Sequence, residues 1–183
     1  RYTNLNGLKT TFSFSHEDTN TGKRILDAYN MLDDNFLLTY ADNYWPIQLD
    51  AMIKNLNEKK AFISTTVFNN NDGTGEYGYE NNAQVNSEGF VKKYDKTRKA
   101  EGLNGVDIGY FVINKKLLEN TSNENLSFED DMLPRFIKKK TLAAFTTSVQ
   151  YYYITDMKCV KKFENFVSSK KLKSLPNSYF KNI

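Results

Sequence analysis

At 183 residues, with 39% hydrophobic, 14% aromatic and 26% charged side chains, the chain can bury one core without disulfides and is too short for two ordinary domains. A formal net charge of +3, with no basic stripe interleaved with aromatics, leaves no electrostatic case for nucleic acid as a partner. One cysteine, Cys159, and one histidine, His16, exclude a disulfide framework and a Cys/His zinc site, so any chemistry runs on Asp, Glu, Lys, Arg and hydroxyls.

No apolar run reaches membrane-spanning length, and the opening Arg1-Tyr2-Thr3-Asn4 is not a signal peptide, so a cytoplasmic location without membrane contact is expected. The chain also opens without an initiator methionine, as a processed, truncated or partial chain would. In chain order, the alternation around Phe12 and Phe14 predicts a strand over residues 8–15. A polar loop over residues 16–22 leads to a predicted helix over 23–32, with Ile25, Leu26, Tyr29 and Leu32 on one face. A strand over 36–41 ends on Asp42, and a helix is predicted over 47–57. Residues 61–68 read as a third strand, followed by the loop Asn69-Asn70-Asn71-Asp72-Gly73-Thr74-Gly75. The turn Asn86-Ser87-Glu88-Gly89 predicts a hairpin whose second strand runs out to Asp95-Lys96. Residues 106–113 form a strong strand, and Gly109 inside it predicts a close approach to the backbone. Ser127 is a candidate N-cap ahead of Glu129, Asp130 and Asp131 in a first helical turn. Strands over 142–147 and 151–155, a helix over 159–168 and an irregular tail over 170–183 complete the reading. The Lys138-Lys139-Lys140 and Lys170-Lys171 clusters are of the kind that solvated helix ends carry. The alternation of strands and helices predicts an α/β domain with a mixed, mostly parallel Rossmann-like sheet flanked by helices, occupying residues 1–183 as a single unit.

Asp42 and Asp156 stand out because each ends an apolar strand and precedes a helix. Ligands in open α/β sheets sit beyond the carboxyl ends of strands, and two carboxylates meeting there favour a hard cation between them. Mg²⁺ with phosphates is the expected occupant, and Lys96 could add a point charge for phosphate. The alternative is that each acid caps the following helix or closes a turn.

The order of motifs resembles the sugar-1-phosphate nucleotidyltransferases, nearest their glucose-1-phosphate cytidylyltransferase and heptose-1-phosphate guanylyltransferase types. Asn20-Thr21-Gly22-Lys23-Arg24-Ile25 is similar to the family loop that lies against the nucleotide base. Leu38-Thr39-Tyr40-Ala41-Asp42 is similar to L-x-Y-G-D, whose Asp binds Mg²⁺. Tyr77-Gly78 matches the Y-G pair, and Tyr94-Asp95-Lys96 stands where the family has F-x-E-K-P. The strand Val106-Asp107-Ile108-Gly109-Tyr110 resembles N-x-G-x-Y beside the sugar. Residues 126–134 resemble the S-L-E-x-D-x-x-P helix, and Asp156 stands where the family has its second metal-binding Asp. The resemblance implies an NTP and a sugar 1-phosphate as partners, with nucleotide-sugar and pyrophosphate as products. It implies Thr21, Gly22 and Tyr40 at the nucleotide, Lys96, Asp42 and Asp156 in catalysis, and Mg²⁺ on Asp42 and Asp156. Tyr77, Gly78, Asp95, Asp107, Gly109 and Glu129 would bind the sugar.

Ala41, Asp95, Thr97 and Asp107 depart from the family's Gly, Glu, Pro and Asn, and Met157 and Lys158 follow the second Asp where the family has small residues. Nothing before Asn20 resembles the family's G-G-x-G-T-R triphosphate loop. The resemblance therefore covers the C-terminal two-thirds of a family domain, and the natural protein is expected to be longer. Two other readings stay open. One is a non-catalytic relative that binds nucleotide or sugar phosphate. The other, ranked lower, is a GT-A glycosyltransferase, which would need a second acid where Asp42-Asn43-Tyr44 has none. The base, the sugar and homo-oligomerisation are left open.

Overall fold

The computed structural model describes residues 10–169. The elements are helix α1 (Thr21–Asp27), strand β1 (Asn35–Thr39), strand β2 (Asn43–Tyr44), helix α2 (Leu49–Glu58), strands β3 (Ile63–Phe68), β4 (Ala83–Val85), β5 (Val91–Tyr94) and β6 (Val106–Asn114), helix α3 (Leu133–Lys138), strands β7 (Leu142–Thr147) and β8 (Tyr152–Tyr153), and helix α4 (Met157–Ser168). Short 3₁₀ turns occupy Tyr29–Met31 and Lys115–Leu118, and a π-helical turn, Phe128–Met132, runs into α3.

A four-stranded sheet in the order β1-β6-β3-β7 forms the centre. β6 runs antiparallel to both β1 and β3, and β3 pairs in parallel with β7. Hence β1, β3 and β7 all point the same way and β6 alone runs against them. The sheet is mixed and helix-flanked, as the sequence implies, and one of its three ladders is parallel. This arrangement gathers the loops after β1, β3 and β7 and the start of β6 at one edge. β3 is buried at all six positions, Ser64, Thr65 and Thr66 included, as a strand covered on both faces is. β6 divides its side chains between two cores. Phe111 and Ile113 pack with Phe128, Met132, Leu133 and Phe136 on one face. Ile108, Tyr110 and Val112 pack with Trp45, Met52 and Leu56 on the other. Phe111 meets Phe128 edge-on at 5.1 Å between centroids.

Two predicted elements change. Residues 10–16 form no strand, and Phe12 and Phe14 are 46% and 85% exposed. Period-two spacing makes a strand only where a ladder accepts it. Residues 8 and 9 of that prediction, and the tail over 170–183, lie outside the described residues. The predicted strand over 151–155 shrinks to Tyr152–Tyr153, which pairs antiparallel with Asn43–Tyr44 in a separate two-stranded sheet. Asp42 and Asp156 therefore do not end strands of one sheet; the β2–β8 ladder, extended by Ile154 N–H donating to Asp42 O at 2.7 Å, is what ties their loops together.

Gly109 has φ +77° and sits at an irregularity in the β3–β6 register. A Cβ there would lie 2.5 Å from Tyr40 Cδ2, so the close approach expected from sequence is the Tyr40 ring. Gly109→Ala is expected to destabilise the fold by about 3 kcal/mol, combining the left-handed backbone with overpacking. Chemical denaturation measures this, and a loss below about 0.5 kcal/mol would contradict the packing described.

Candidate active site

The carboxyl edge of β1, β3 and β7 carries two groups of side chains with Asp42 between them. The first centres on Glu129, in the π-helical turn capped by Ser127, whose hydroxyl accepts from Asp130 N–H. Lys96 Nζ lies 3.0 Å from Glu129 and 4.0 Å from Asp130. The Tyr40 and Tyr94 hydroxyls also donate to Glu129. Burial, then the Glu129 and Asp107 charges, push both phenols above their ordinary range, so both stay protonated donors. The ion pair with Glu129 raises Lys96, which stays an ammonium.

Asp107 enters the same group from the start of β6. Its carboxylate accepts from the buried Thr65 hydroxyl at 2.7 Å and from Gly109 N–H at 2.9 Å. Asn82 Oδ1 accepts from Asp107 N–H at 2.7 Å. Burial outweighs these hydrogen bonds and, with the Glu129 charge, pushes the Asp107 carboxyl up to about 6. The register irregularity at Gly109 is what allows both Tyr40 and Asp107 to reach this side.

The second group surrounds a cavity of about 430 Å³ lined by Glu76, Tyr77, Tyr153, Asp156, Lys158 and Lys162, among others. Burial raises the Glu76 carboxyl, which accepts from Thr155 Oγ1 at 3.4 Å. The Arg98 guanidinium covers the Tyr77 ring at 4.3 Å, a cation–π contact. Asn70, only 4% exposed, builds the loop beneath, donating to Gly78 O at 2.7 Å and accepting from Gly75 N–H at 2.9 Å. The charge of Asp42 acts on Tyr40 in the first group and on Glu76 in the second, which places it between them. Asp42 is exposed, and its carboxylate has no hydrogen-bond or ion-pair partner among the described residues.

Lys96, Glu129, Asp107, Gly109 and Tyr40 thus converge, and Tyr77 and Asp156 share the neighbouring cavity. Other candidates are placed differently. Thr21 Oγ1 accepts from Phe128 N–H at 3.0 Å, and buried Gly22 lets α1 lie against the π-helical turn; a Cβ there would be 2.6 Å from Met132 Sδ and 2.7 Å from Leu126 O. Both residues dock α1. Gly78 serves a tight turn at φ +62°. Asp95 faces its own loop, accepting from Thr97 N–H and Oγ1–H, Lys99 N–H and Ala100 N–H, which hold its carboxyl down at about 2. Asp156 is the N-cap of α4, accepting from Cys159 N–H at 2.7 Å.

A hard cation needs oxygen donors of negative charge, and it often takes only one or two carboxylates, completed by phosphate and water. Asp42 meets that need fully, and Asp156 through the oxygen not used in capping. Glu76 is a further acid beside Asp42. Among the described residues, three or more acid, His or Cys ligand atoms come within 4.8 Å of one another only at exposed His16, Glu17 and Asp18, so Asp42 and Asp156 belong to no such trio. Tyr94, Thr65 and Glu76 are members that sequence reasoning missed. Tyr94, adjacent to Asp95-Lys96, and Glu76, adjacent to Tyr77-Gly78, carried a local signal; Thr65 carried none.

The architecture is that of the nucleotide-diphospho-sugar transferase fold, shared with sugar-phosphate nucleotidyltransferases. HddC from Yersinia pseudotuberculosis matches with a TM-score of 0.64 and 19% identity, over 81% of this chain and 62% of that one. The same protein has been solved complexed with GMP-PN. A protein assigned as a glucose-1-phosphate thymidylyltransferase from Bacillus anthracis, in complex with a sucrose, matches at 0.67 and 9% identity, over 85% and 64%. An inositol-1-phosphate CTP transferase from T. maritima matches at 0.61 and 16%, over 84% and 64%. The chain thus spans less than two thirds of the length of these structures. No protein-family model and no curated protein matches the sequence. At these identities the likeness establishes the fold, and function must be argued from the site. No helix among the described residues is long and apolar enough to cross a membrane.

Proposed function

We propose that this chain belongs to an enzyme that joins an NTP to a sugar 1-phosphate, releasing pyrophosphate. The observation that carries the reading is the Lys96–Glu129–Tyr40–Tyr94 network beside an unpartnered Asp42, at the edge where three strands end. The reaction is an in-line displacement: a phosphate oxygen of the sugar 1-phosphate attacks the α-phosphorus, a new P–O bond forms, and the bond to the β-phosphate bridging oxygen breaks with pyrophosphate leaving. Lys96 orients the attacking phosphate as a point charge and exchanges Glu129 for it. Glu129, still held by Tyr40 and Tyr94, is then free to accept sugar hydroxyls. Mg²⁺ held by Asp42, with Asp156 contributing its uncapped oxygen, would neutralise charge developing on the phosphates.

The test is Mg²⁺-dependent pyrophosphate release by the natural-length protein across a panel of NTPs and sugar 1-phosphates. Lys96→Met is expected to lower kcat/KM for the sugar phosphate by about 30-fold, through loss of a charge-assisted contact. An unchanged kcat/KM would remove Lys96 from the reaction. The N-capping role of Asp156 favours a second reading, a non-catalytic relative that binds nucleotide or sugar phosphate. Saturable binding with no pyrophosphate release from any pair would favour that reading.

A further inference from the structure

A second cavity, of about 260 Å³, opens at the opposite edge of the sheet. Its walls come from the residue before β3 (Phe62), the turn after β6 (Lys116 and Leu117), the segment Asn120–Thr121, α3, and Thr141 just ahead of β7. β3 and β7 begin here and end at the candidate active site, so the two sites lie at opposite ends of the same strands.

The charge here is all of one sign. Lys116, Arg135 and Lys139 converge on the cavity from two elements, and no carboxylate lines it. All three are exposed, and none has an ion-pair partner among the described residues. A helix C-terminus attracts cations, which accounts for Arg135 in the last turn of α3 and Lys139 at its C-cap. It does not account for Lys116, which comes from the Lys115–Leu118 turn, nor for the Asn120 amide, which has no hydrogen-bond partner among the described residues. The floor is apolar, built from Met132 and Phe136, and the Phe62 ring stands 43% exposed at the rim. Cations above an apolar floor with an exposed aromatic edge fit a ligand that is anionic at one end and has a ring to lay on Phe62.

We propose that this cavity binds a small phosphate ester carrying a ring, with Lys116, Arg135 and Lys139 on the phosphate and Phe62 against the ring. The site is separate from the proposed reaction and stands whether or not that reaction occurs. Nucleotides and sugar phosphates share this chemistry, and the two are distinguished by the probes.

The experiment is calorimetric titration of the full chain with inorganic phosphate, glucose 6-phosphate and GMP. At least one ester is expected to bind more tightly than inorganic phosphate. The Lys116→Gln/Arg135→Gln/Lys139→Gln variant is expected to weaken that ester about tenfold or more. Phe62→Ser should narrow the gap between ester and phosphate. If thermal melting shows the triple variant unfolded, Lys116→Gln, outside α3, makes the same comparison with an expected loss of about threefold. The proposal is overturned if neither ester binds, if both bind no better than inorganic phosphate, or if the charge variants leave affinity unchanged.

Discussion

Asp42→Asn is expected to lower pyrophosphate release by about 100- to 1,000-fold while leaving the thermal melt of the protein in place. Both halves of that expectation come from where Asp42 stands. It follows β1, it is exposed, and no hydrogen bond among the described residues depends on its carboxylate, so the amide costs the fold nothing visible. The backbone there is held instead by Ile154 N–H on Asp42 O, which the substitution keeps. What the amide removes is charge, at a point whose field reaches both Tyr40 and Glu76. Asp156 provides the internal comparison. Asn caps helices as well as Asp does, so Asp156→Asn keeps the bond from Cys159 N–H and removes only the anion. A large loss in Asp156→Asn would identify it as a ligand as well as a cap; full activity there would leave capping as its role. Asp156→Ala should lower the melting temperature in either case. Near-normal pyrophosphate release in Asp42→Asn would remove the metal assignment from the strongest candidate.

The elements that could be read from sequence are those whose burial is simplest. β3 and β7 are short runs rich in β-branched and apolar residues with buried side chains, and the hairpin of β4 and β5 is announced by Asn86-Ser87-Glu88-Gly89. The Ser127 cap was legible because its acids follow within one turn. The β2–β8 ladder was not, since two residues per strand leave no period to detect. The residues at 12 and 14 misled for the opposite reason: a clear alternation with no ladder to join. At the site, acids next to strand ends were easy to nominate, yet sequence could not tell which were free. Asp95 and Asp156 each accept backbone N–H groups within a few residues, and such local closure depends on loop geometry that residue type does not reveal. The Tyr40–Glu129–Tyr94 network joins three distant segments, and only the fold brings them together.

Asp107 carries a stability effect that depends on pH. Its carboxyl is turned onto the fully buried Thr65, and burial, reinforced by the Glu129 charge, moves it from 3.8 to about 6. A carboxyl raised on folding favours the folded state while protonated, and that contribution fades as pH climbs through about 6. At 1.36 kcal/mol per pH unit, the rise corresponds to a penalty of at most about 3 kcal/mol above pH 6. Asp107→Asn removes the titrating group but keeps an oxygen for Gly109 N–H, and the Thr65 hydroxyl can rotate to accept from the new amide. The variant is therefore expected to be more stable than the parent by about 2 kcal/mol at pH 7.5, with the advantage shrinking toward pH 4. Denaturant unfolding of both proteins from pH 4 to 8 measures this directly. A stability difference that does not change with pH would place the Asp107 carboxylate in a well-solvated setting, and would remove it from the buried network that holds Thr65 and Gly109 against the site.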